Sequence, residues 1–319
     1  MSKKVYETTL IQMQLDRPGG MSYVIRLSDG RFVIIDGGHT GKDGDGVYEM
    51  NLRRMWKVLR ETCGEEKPVI ACWFITHTHI DHMGFAAAFM TDFRDELVIE
   101  RFAYNYPVTE PDWREWENEK ALNDAMALYI DAEKYVMHTG DTFTFADLRV
   151  DVLLSAFDQY PPEPDNPNQT SAVLRLTFAQ PDGTARRAMI MGDCQSDHSI
   201  ELRNPASRVY REDSELKADI LQVTHHGLCV TGYSKEPEQY YEPFLKLYQA
   251  INPSICLWPV YKERFMLTDE VPGEGWCRLP KYPYHYWLHQ SVPEDRHFHH
   301  SQMTEITLRD LSVRTWIEE

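Results

Sequence analysis

Residues 69–82 run Val-Ile-Ala-Cys-Trp-Phe-Ile-Thr-His-Thr-His-Ile-Asp-His, an apolar stretch that breaks directly into the pattern His77-x-His79-x-Asp81-His82. The apolar part, Val69–Ile75, reads as a strand buried on both faces. Behind the motif, Gly84-Phe85-Ala86-Ala87-Ala88-Phe89-Met90 reads as the start of a helix. Ligand-type side chains on a short turn between a rigid strand and a rigid helix are held in place before any cation arrives. Imidazoles with a carboxylate suit a borderline cation such as zinc, and also manganese or iron. The fold must therefore bring a buried strand end to an open edge.

Composition narrows the rest. The chain has 319 residues, 42% of them hydrophobic and 12% aromatic, enough to bury a full core. Thirty-three basic against fifty acidic residues leave a net charge of −17 with no Lys/Arg block, so long nucleic acid is a disfavoured partner. A small-molecule or nucleotide substrate fits better; oligomeric state is left open. The six cysteines are scattered without a Cys-x-x-Cys pair, the N-terminus lacks an apolar signal region, and no stretch is apolar enough to span a membrane. These features predict a cytoplasmic protein with reduced thiols.

Along the chain, strands are expected at Tyr6–Leu15, Ser22–Leu27 and Arg31–Asp36, with a hairpin turn at Asp29-Gly30. A helix is predicted over 47–62, another strand at Leu97–Tyr106 and a long helix at Pro111–Tyr135. Further strands are read at Thr142–Phe145, Leu148–Ser155, Ala172–Phe178 and Arg187–Gly192, with the Pro/Asp/Asn-rich 158–170 a loop between them. A short helix from about Asp197, the strand Ala218–Thr224, the helix Glu236–Ala250 and the strand Ser254–Val260 follow, and the strands Thr304–Arg309 and Ser312–Ile317 close the chain. Strands and helices interleave in two pseudo-halves, roughly 1–135 and 136–319, with no low-complexity linker. The expectation is one α/β domain over 1–319 with two sheets and outer helices.

Three more segments end a strand in a polar group: Ile34-Ile35-Asp36-Gly37-Gly38, Ile190-Met191-Gly192-Asp193, and Val223-Thr224-His225-His226-Gly227. With the first motif, in this order, they resemble the metallo-β-lactamase superfamily of metal-dependent hydrolases. Within it the chain looks most like the branch that includes the metallo-β-lactamase-like domain of DNA-uptake competence channel proteins, and Asn168–Leu176 is similar to that branch's polar-loop-then-strand signature. The resemblance implies an αββα four-layer sandwich with a metal site at one edge between the sheets. It implies that His77 and His79 bind a first cation, Asp81 and His82 a second, and that Asp193 bridges them. One of His225 and His226 would complete the second site: the strand-end position favours His225, relatives with a single histidine before glycine favour His226. Asp36 would orient a ligand histidine. The cofactor implied is Zn2+, as one ion or two, with Mn2+ or Fe as alternatives.

One departure stands out. Relatives often carry a third first-site histidine before the bridging aspartate, but the only histidine in that interval is His138. Asp158 or water would have to substitute. The tail adds His285, His289, His297, His299 and His300, of which one is a candidate to reach the cleft. The implied chemistry is hydrolysis of an ester, amide, lactam or phosphodiester by hydroxide generated on the metal, with Asp81 orienting the nucleophile and a non-ligating histidine of the 225/226 pair donating a proton. The alternatives are a nucleotide or nucleic-acid phosphodiesterase and a degenerate, non-catalytic metal-binding module. An iron oxidoreductase is disfavoured because diiron relatives usually carry Glu where His79 stands.

Overall fold

The computed structural model describes residues 5–16, 20–41, 46–63, 66–106, 116–155, 167–195, 201–207, 209–227, 241–261 and 283–318. Its strands are β1 (Thr9–Gln12), β2 (Ser22–Arg26), β3 (Phe32–Asp36), β4 (Val69–Ile75), β5 (Val98–Ile99), β6 (Arg101–Tyr104), β7 (Glu133–Val136), β8 (Thr142–Phe145), β9 (Leu148–Leu154), β10 (Val173–Ala179), β11 (Ala185–Ile190), β12 (Ile220–Gln222), β13 (Ile255–Trp258), β14 (His297–His299), β15 (Met303–Thr307) and β16 (Ser312–Trp316). The helices are α1 (Val47–Cys63), α2 (Ile80–Asp92), α3 (Trp116–Ala127), α4 (Asp213–Leu216), α5 (Tyr241–Ile251) and α6 (Pro283–Ser291).

The strands form two sheets. The first runs β16-β15-β1-β2-β3-β4-β6-β7, with β5 also paired to β4; the second runs β14-β13-β12-β11-β10-β9-β8. Between them lies a core of inward-facing residues, among them Tyr23, Val33, Cys72 and Phe74 from one side and Val150, Leu174 and Ile190 from the other. Met55 and Leu59 of α1, Phe85 and Phe89 of α2, and Leu122 and Met126 of α3 pack on the outer face of the first sheet. Phe244, Tyr248, Tyr284 and Leu288 of α5 and α6 cover the second. The layers are helix, sheet, sheet, helix: the expected αββα sandwich. The interior is set by apolar alternation; removing a wholly buried ring such as Phe74 costs ~3–5 kcal/mol.

The metal-motif strand contains a bulge. Phe32 pairs with Ile70 but Val33 with Cys72, leaving Ala71 as the extra residue. Ala71 and Cys72 therefore both face the inter-sheet core, and alternation restarts with Trp73 and Ile75 on the helix side. β3 and β4 are parallel, as are β11 and β12. Asp36, His77, Asp193 and His225 all stand at or just past the C-terminal ends of these strands, where open α/β sheets place their ligands.

Three expectations need correction. The helix expected over Pro111–Tyr135 ends at Ala127 among the described residues, and Glu133–Val136 is an edge strand paired with β6. The strand expected over Leu97–Tyr106 is broken at Glu100 into β5 and β6. His297–His299 pairs in parallel with β13, although no strand was expected there. The helix near Asp197, Asp158, and most of the 158–170 loop lie outside the described residues.

Gly20 shows how tightly the fold fixes the site. Its φ is +119°, and a Cβ there would sit 1.9 Å from the carbonyl oxygen of Asp81. The next amide, Met21 N–H, donates to that same oxygen at 3.0 Å. Gly20→Ala is expected to cost about 3 kcal/mol and lower the melting temperature by roughly 5 °C or more, because backbone and not a flexible side chain must move. A thermal melt within 1–2 °C (roughly) of wild type would show that this approach is not a constraint.

Candidate metal centre

The site is built from Asp36 outward. Asp36 ends β3 with φ +55° and is wholly buried. Thr76 N–H donates to its Oδ1 at 2.7 Å and the Thr76 hydroxyl to its Oδ2 at 2.7 Å. His82 Nδ1 lies 2.7 Å from the same Oδ2. A carboxylate can only accept, so His82 carries its proton on Nδ1 and, as a neutral ring, presents a lone pair at Nε2. Because the Thr76 hydroxyl proton goes to Asp36, its oxygen is left to accept from His77 Nδ1, 3.1 Å away. His77 then also presents a lone pair at Nε2.

The same logic fixes His226. Its Nδ1 lies 2.8 Å from the carbonyl oxygen of Pro259, to which it must donate, so its Nε2 carries a lone pair too. That Nε2 is 3.2 Å from Asp81 Oδ2, 3.4 Å from Asp193 Oδ2 and 3.3 Å from His82 Nε2. His82 Nε2 is in turn 3.2 Å from Asp193 Oδ1. Asp193 is almost wholly buried. His77 Nε2 is 3.7 Å from Asp193 Oδ2 and 3.1 Å from His79 Nδ1. Ligand-type atoms of His77, His82 and Asp193, and of Asp81, His82 and His226, lie within 4.8 Å of one another. Lone pairs and carboxylate oxygens facing each other at these distances repel unless protons or a cation stand between them. The donor set fits a divalent cation.

In the metal-free protein, protons take that part. Burial opposes charge on His82, but the Asp193 and Asp36 carboxylates push its pKa up to about 10. Burial likewise opposes charge on His226, and Asp193 and Asp81 lift it well above the usual imidazole value. Burial raises Asp81 and Asp193, yet the neighbouring His226 and His82 hold both carboxylates below their ordinary range. His77 goes the other way: burial and the adjacent His82 keep it neutral. Burial lifts Asp36 despite its three donors.

Most of the sequence-derived candidates can now be placed, Asp158 lying outside the described residues. His77, His79, Asp81, His82, Asp193 and His226 come together. His225 Nε2 lies 3.9 Å from Asp193 Oδ2 and 3.2 Å from Asn168 Nδ2. Both His225 and His226 have positive φ. His138 is exposed on the surface. In the tail, His289 stacks on Trp258 at 5.1 Å and on His297 at 4.8 Å, and His285 is buried against Trp258. His300 reaches the rim: its Nδ1 donates to Gly20 O at 3.0 Å, and burial pushes its pKa down to about 3.

Sequence reading missed three supports. Thr76 relays Asp36 to His77 and His82. The hydroxyl oxygen of Ser171 accepts the Asp193 N–H at 3.1 Å. Pro259 sets the His226 tautomer. All three lie in stretches that the sequence pattern marks, but as ordinary residue types at strand ends they carry no signal of their own.

A profile of the Metallo-beta-lactamase superfamily matches residues 15–177. No curated protein matches the chain by sequence. Among solved structures, the long form RNase Z from yeast superposes with a TM-score of 0.53 at 8% identity, covering 98% of this chain and 50% of that one. The metallo-beta-lactamase fold protein YhfI from Bacillus subtilis gives 0.48 at 9% identity, covering 97% and 100%. The diiron beta-hydroxylase CmlA from Streptomyces venezuelae gives 0.47 at 11% identity, covering 98% and 54%. The chain thus spans about half the length of CmlA and of the yeast RNase Z.

The protonated histidines predict a pH signature. His82 has a folded pKa of about 10, above the unfolded value near 6.5, so its stabilising contribution is full below about 6.5 and is lost as pH rises through about 10. Asp81 and Asp193 are held low, so their contribution is present above about 3.8 and lost as pH falls. Adding metal at pH 7 is therefore expected to release protons from His82 and His226. Calorimetry in buffers of different ionisation enthalpy reads that number directly; a value of zero would rule out protonated histidines in the metal-free cluster.

Proposed function

The chain belongs to the metallo-beta-lactamase superfamily, and from that premise we propose that it is a metal-dependent hydrolase of a small or medium substrate. The observation that carries the reading is the pair of ligand triads that share His82, one of His77, His82 and Asp193 and one of Asp81, His82 and His226. Asp81, His82 and His226 would hold one cation, and His77 and His79 a second, with Asp193 available to both. Zinc is the first candidate and manganese the second, from the imidazole and carboxylate donor set.

A divalent cation held there lowers the pKa of a bound water toward neutrality and so supplies a hydroxide nucleophile. The chain's own groups do the rest. Asp81, about a third open to solvent where the other carboxylates are buried, accepts a proton from the attacking water and aims it. Asp36 and Thr76 keep His82 and His77 in the tautomers that leave Nε2 free to ligate. His225 accepts at Nε2 from the Asn168 amide beside Asp193, so any proton it gives to a leaving group leaves from Nδ1. Of the two histidines, His226 is the ligand in this reading, because it is the one that faces Asp81.

The bond cleaved is an ester, amide or lactam, or a phosphodiester of nucleotide size. The charge of −17 supports small substrates over long polymers. The Asn168–Leu176 segment supports kinship with the competence-channel branch. Among the described residues no helix is long and apolar enough to cross a membrane, and the buried Cys72 and Cys256 are free thiols. The thiols favour a reducing, cytoplasmic setting.

Two outcomes test the reading. Purified protein is expected to retain divalent metal, two ions per chain when saturated, measured by plasma mass spectrometry. Asp193→Ala should lower metal-dependent turnover of an ester or bis(p-nitrophenyl) phosphate reporter by about 10²-fold or more, since both positions lose a ligand. Protein that holds metal but turns over no ester, thioester, lactam or phosphodiester in a broad panel would leave the degenerate module as the better account.

A further inference from the structure

The cation position of Asp81, His82 and His226 takes its ligands from both halves of the sandwich. Asp81 and His82 lie in the first turn of α2, directly after β4 of the first sheet, whereas His226 follows β12 of the second. Apolar packing between the sheets is non-directional, while ligands must be held within about 0.5 Å of their productive geometry. A polar link from sheet to sheet has to fix that distance.

His300 stands where the chain crosses from β14 of the second sheet to β15 of the first, and it is buried. Its amide N–H donates to the carbonyls of Trp258 and Val260, at 3.2 Å each, and so fixes the turn that carries Pro259 at the end of β13. The Pro259 carbonyl is the one that accepts from His226 Nδ1 at 2.8 Å. On the first-sheet side, the His300 carbonyl accepts from Leu15 N–H at 3.0 Å. His300 Nδ1 lies 3.0 Å from the Gly20 carbonyl oxygen, which can only accept, so the imidazole donates. Gly20 lies against the backbone of Asp81, and Met21 N–H donates to the Asp81 carbonyl at 3.0 Å.

One residue thus backs His226 through its amide and Asp81 through its ring. These are the two ligands whose atoms meet across the sheets, His226 Nε2 and Asp81 Oδ2, at 3.2 Å. The main-chain bonds would survive any substitution at 300 except proline, but the bond to Gly20 needs a donor in one place. Nε2 of the same ring is buried without a hydrogen-bond partner among the described residues, so the polar role of the side chain rests on Nδ1. The Tyr261 ring packs edge-on against the imidazole at 4.6 Å. His77, by contrast, is held from within the first sheet by Thr76.

We propose that His300 is a positioning residue, whose Nδ1–H bond to Gly20 sets the distance between Asp81 and His226 and hence the affinity of the cation position they share. It acts through Gly20 and the Asp81 backbone, not by ligation. This role rests on the metal-hydrolase reading above and adds to it a latch between the sheets.

The test uses the full chain, stripped of metal and titrated with Zn2+. Calorimetry reads the affinity of each ion, anomalous diffraction at the zinc edge shows which position is filled, and thermal melts of the metal-free proteins report the fold. Wild type is compared with His300→Phe, which keeps a ring and loses the donor, and with His300→Asn, whose side-chain N–H stands in for Nδ1–H. His300→Phe is expected to bind the ion of Asp81, His82 and His226 about tenfold or more weakly, with the ion of His77 and His79 within about threefold of wild type. His300→Asn is expected to match wild type at both. Equal weakening of both ions in His300→Phe overturns the proposal by making His300 a general structural residue, and unchanged binding at both overturns it as well. His300→Asn binding as poorly as His300→Phe also overturns it, because the donor is then not what matters. Should the melts show that His300→Phe does not fold, His300→Gln, with its donor one bond further out, takes its place under the same expectations. Wild type that binds no ion at Asp81, His82 and His226 defeats the metal reading itself, whereas an ion bound there with no selective loss in the variants defeats this inference alone.

Discussion

The hydrogen bonds of Asp36 hold the centre together. One buried carboxylate at the end of β3 accepts from the Thr76 amide, the Thr76 hydroxyl and His82 Nδ1, while its own carbonyl accepts from Trp73 Nε1 at 3.1 Å. These bonds tie β3 to β4 and both to the first turn of α2. Gly37 and Gly38 continue the clamp, their amides both donating to the His82 carbonyl. A Cβ on Gly37 would meet the Ala86 amide nitrogen at 2.7 Å, so the chain can pass this close to α2 only without a side chain. Directionality follows from the same carboxylate. It sets the His82 proton on Nδ1, and through the Thr76 hydroxyl it does the same for His77, so both rings aim an open Nε2 at Asp193.

That geometry makes the interior an acid-and-imidazole cluster that is not neutral by itself. Asp81 and Asp193 stay ionised because His82 and His226 hold protons beside them. A divalent cation can take over the work of two such protons at one stroke, with less reorganisation than an unpaired cluster would need. Empty of both, the site would set carboxylate oxygens against imidazole lone pairs in a dry interior, where repulsion is strongest. The account of the fold and the account of the chemistry therefore rest on one balance of charge.

The motif was legible because its physics is local. An apolar strand that stops at His-x-His-x-Asp-His, and others that stop at Asp36, Asp193 and His225-His226, announce a sheet edge lined with ligands. Less local features were hidden. Glu, Ala and Leu continue through 116–136, so composition alone carried the helix past Ala127, where pairing with β6 claims Glu133–Val136 for the sheet. The strand His297–His299 was masked by residue types with little strand preference, and only the neighbouring β13 makes it one. The two successive non-glycine residues with positive φ, His225 and His226, are likewise signalled by no pattern of side chains. His300 was hidden for a similar reason: one of five histidines in the tail looks like the rest until the structure sets it between the two sheets.

Anomalous diffraction from metal-soaked crystals, recorded at the zinc and manganese edges, measures the central claim most directly. The account predicts a peak within coordination distance of Asp81, His82, His226 and Asp193, and at saturation a second beside His77 and His79 that shares Asp193. Peaks confined to the tail histidines, or a cluster that stays metal-free while Nε2 of His82 and His226 remain turned on the carboxylates, would contradict it.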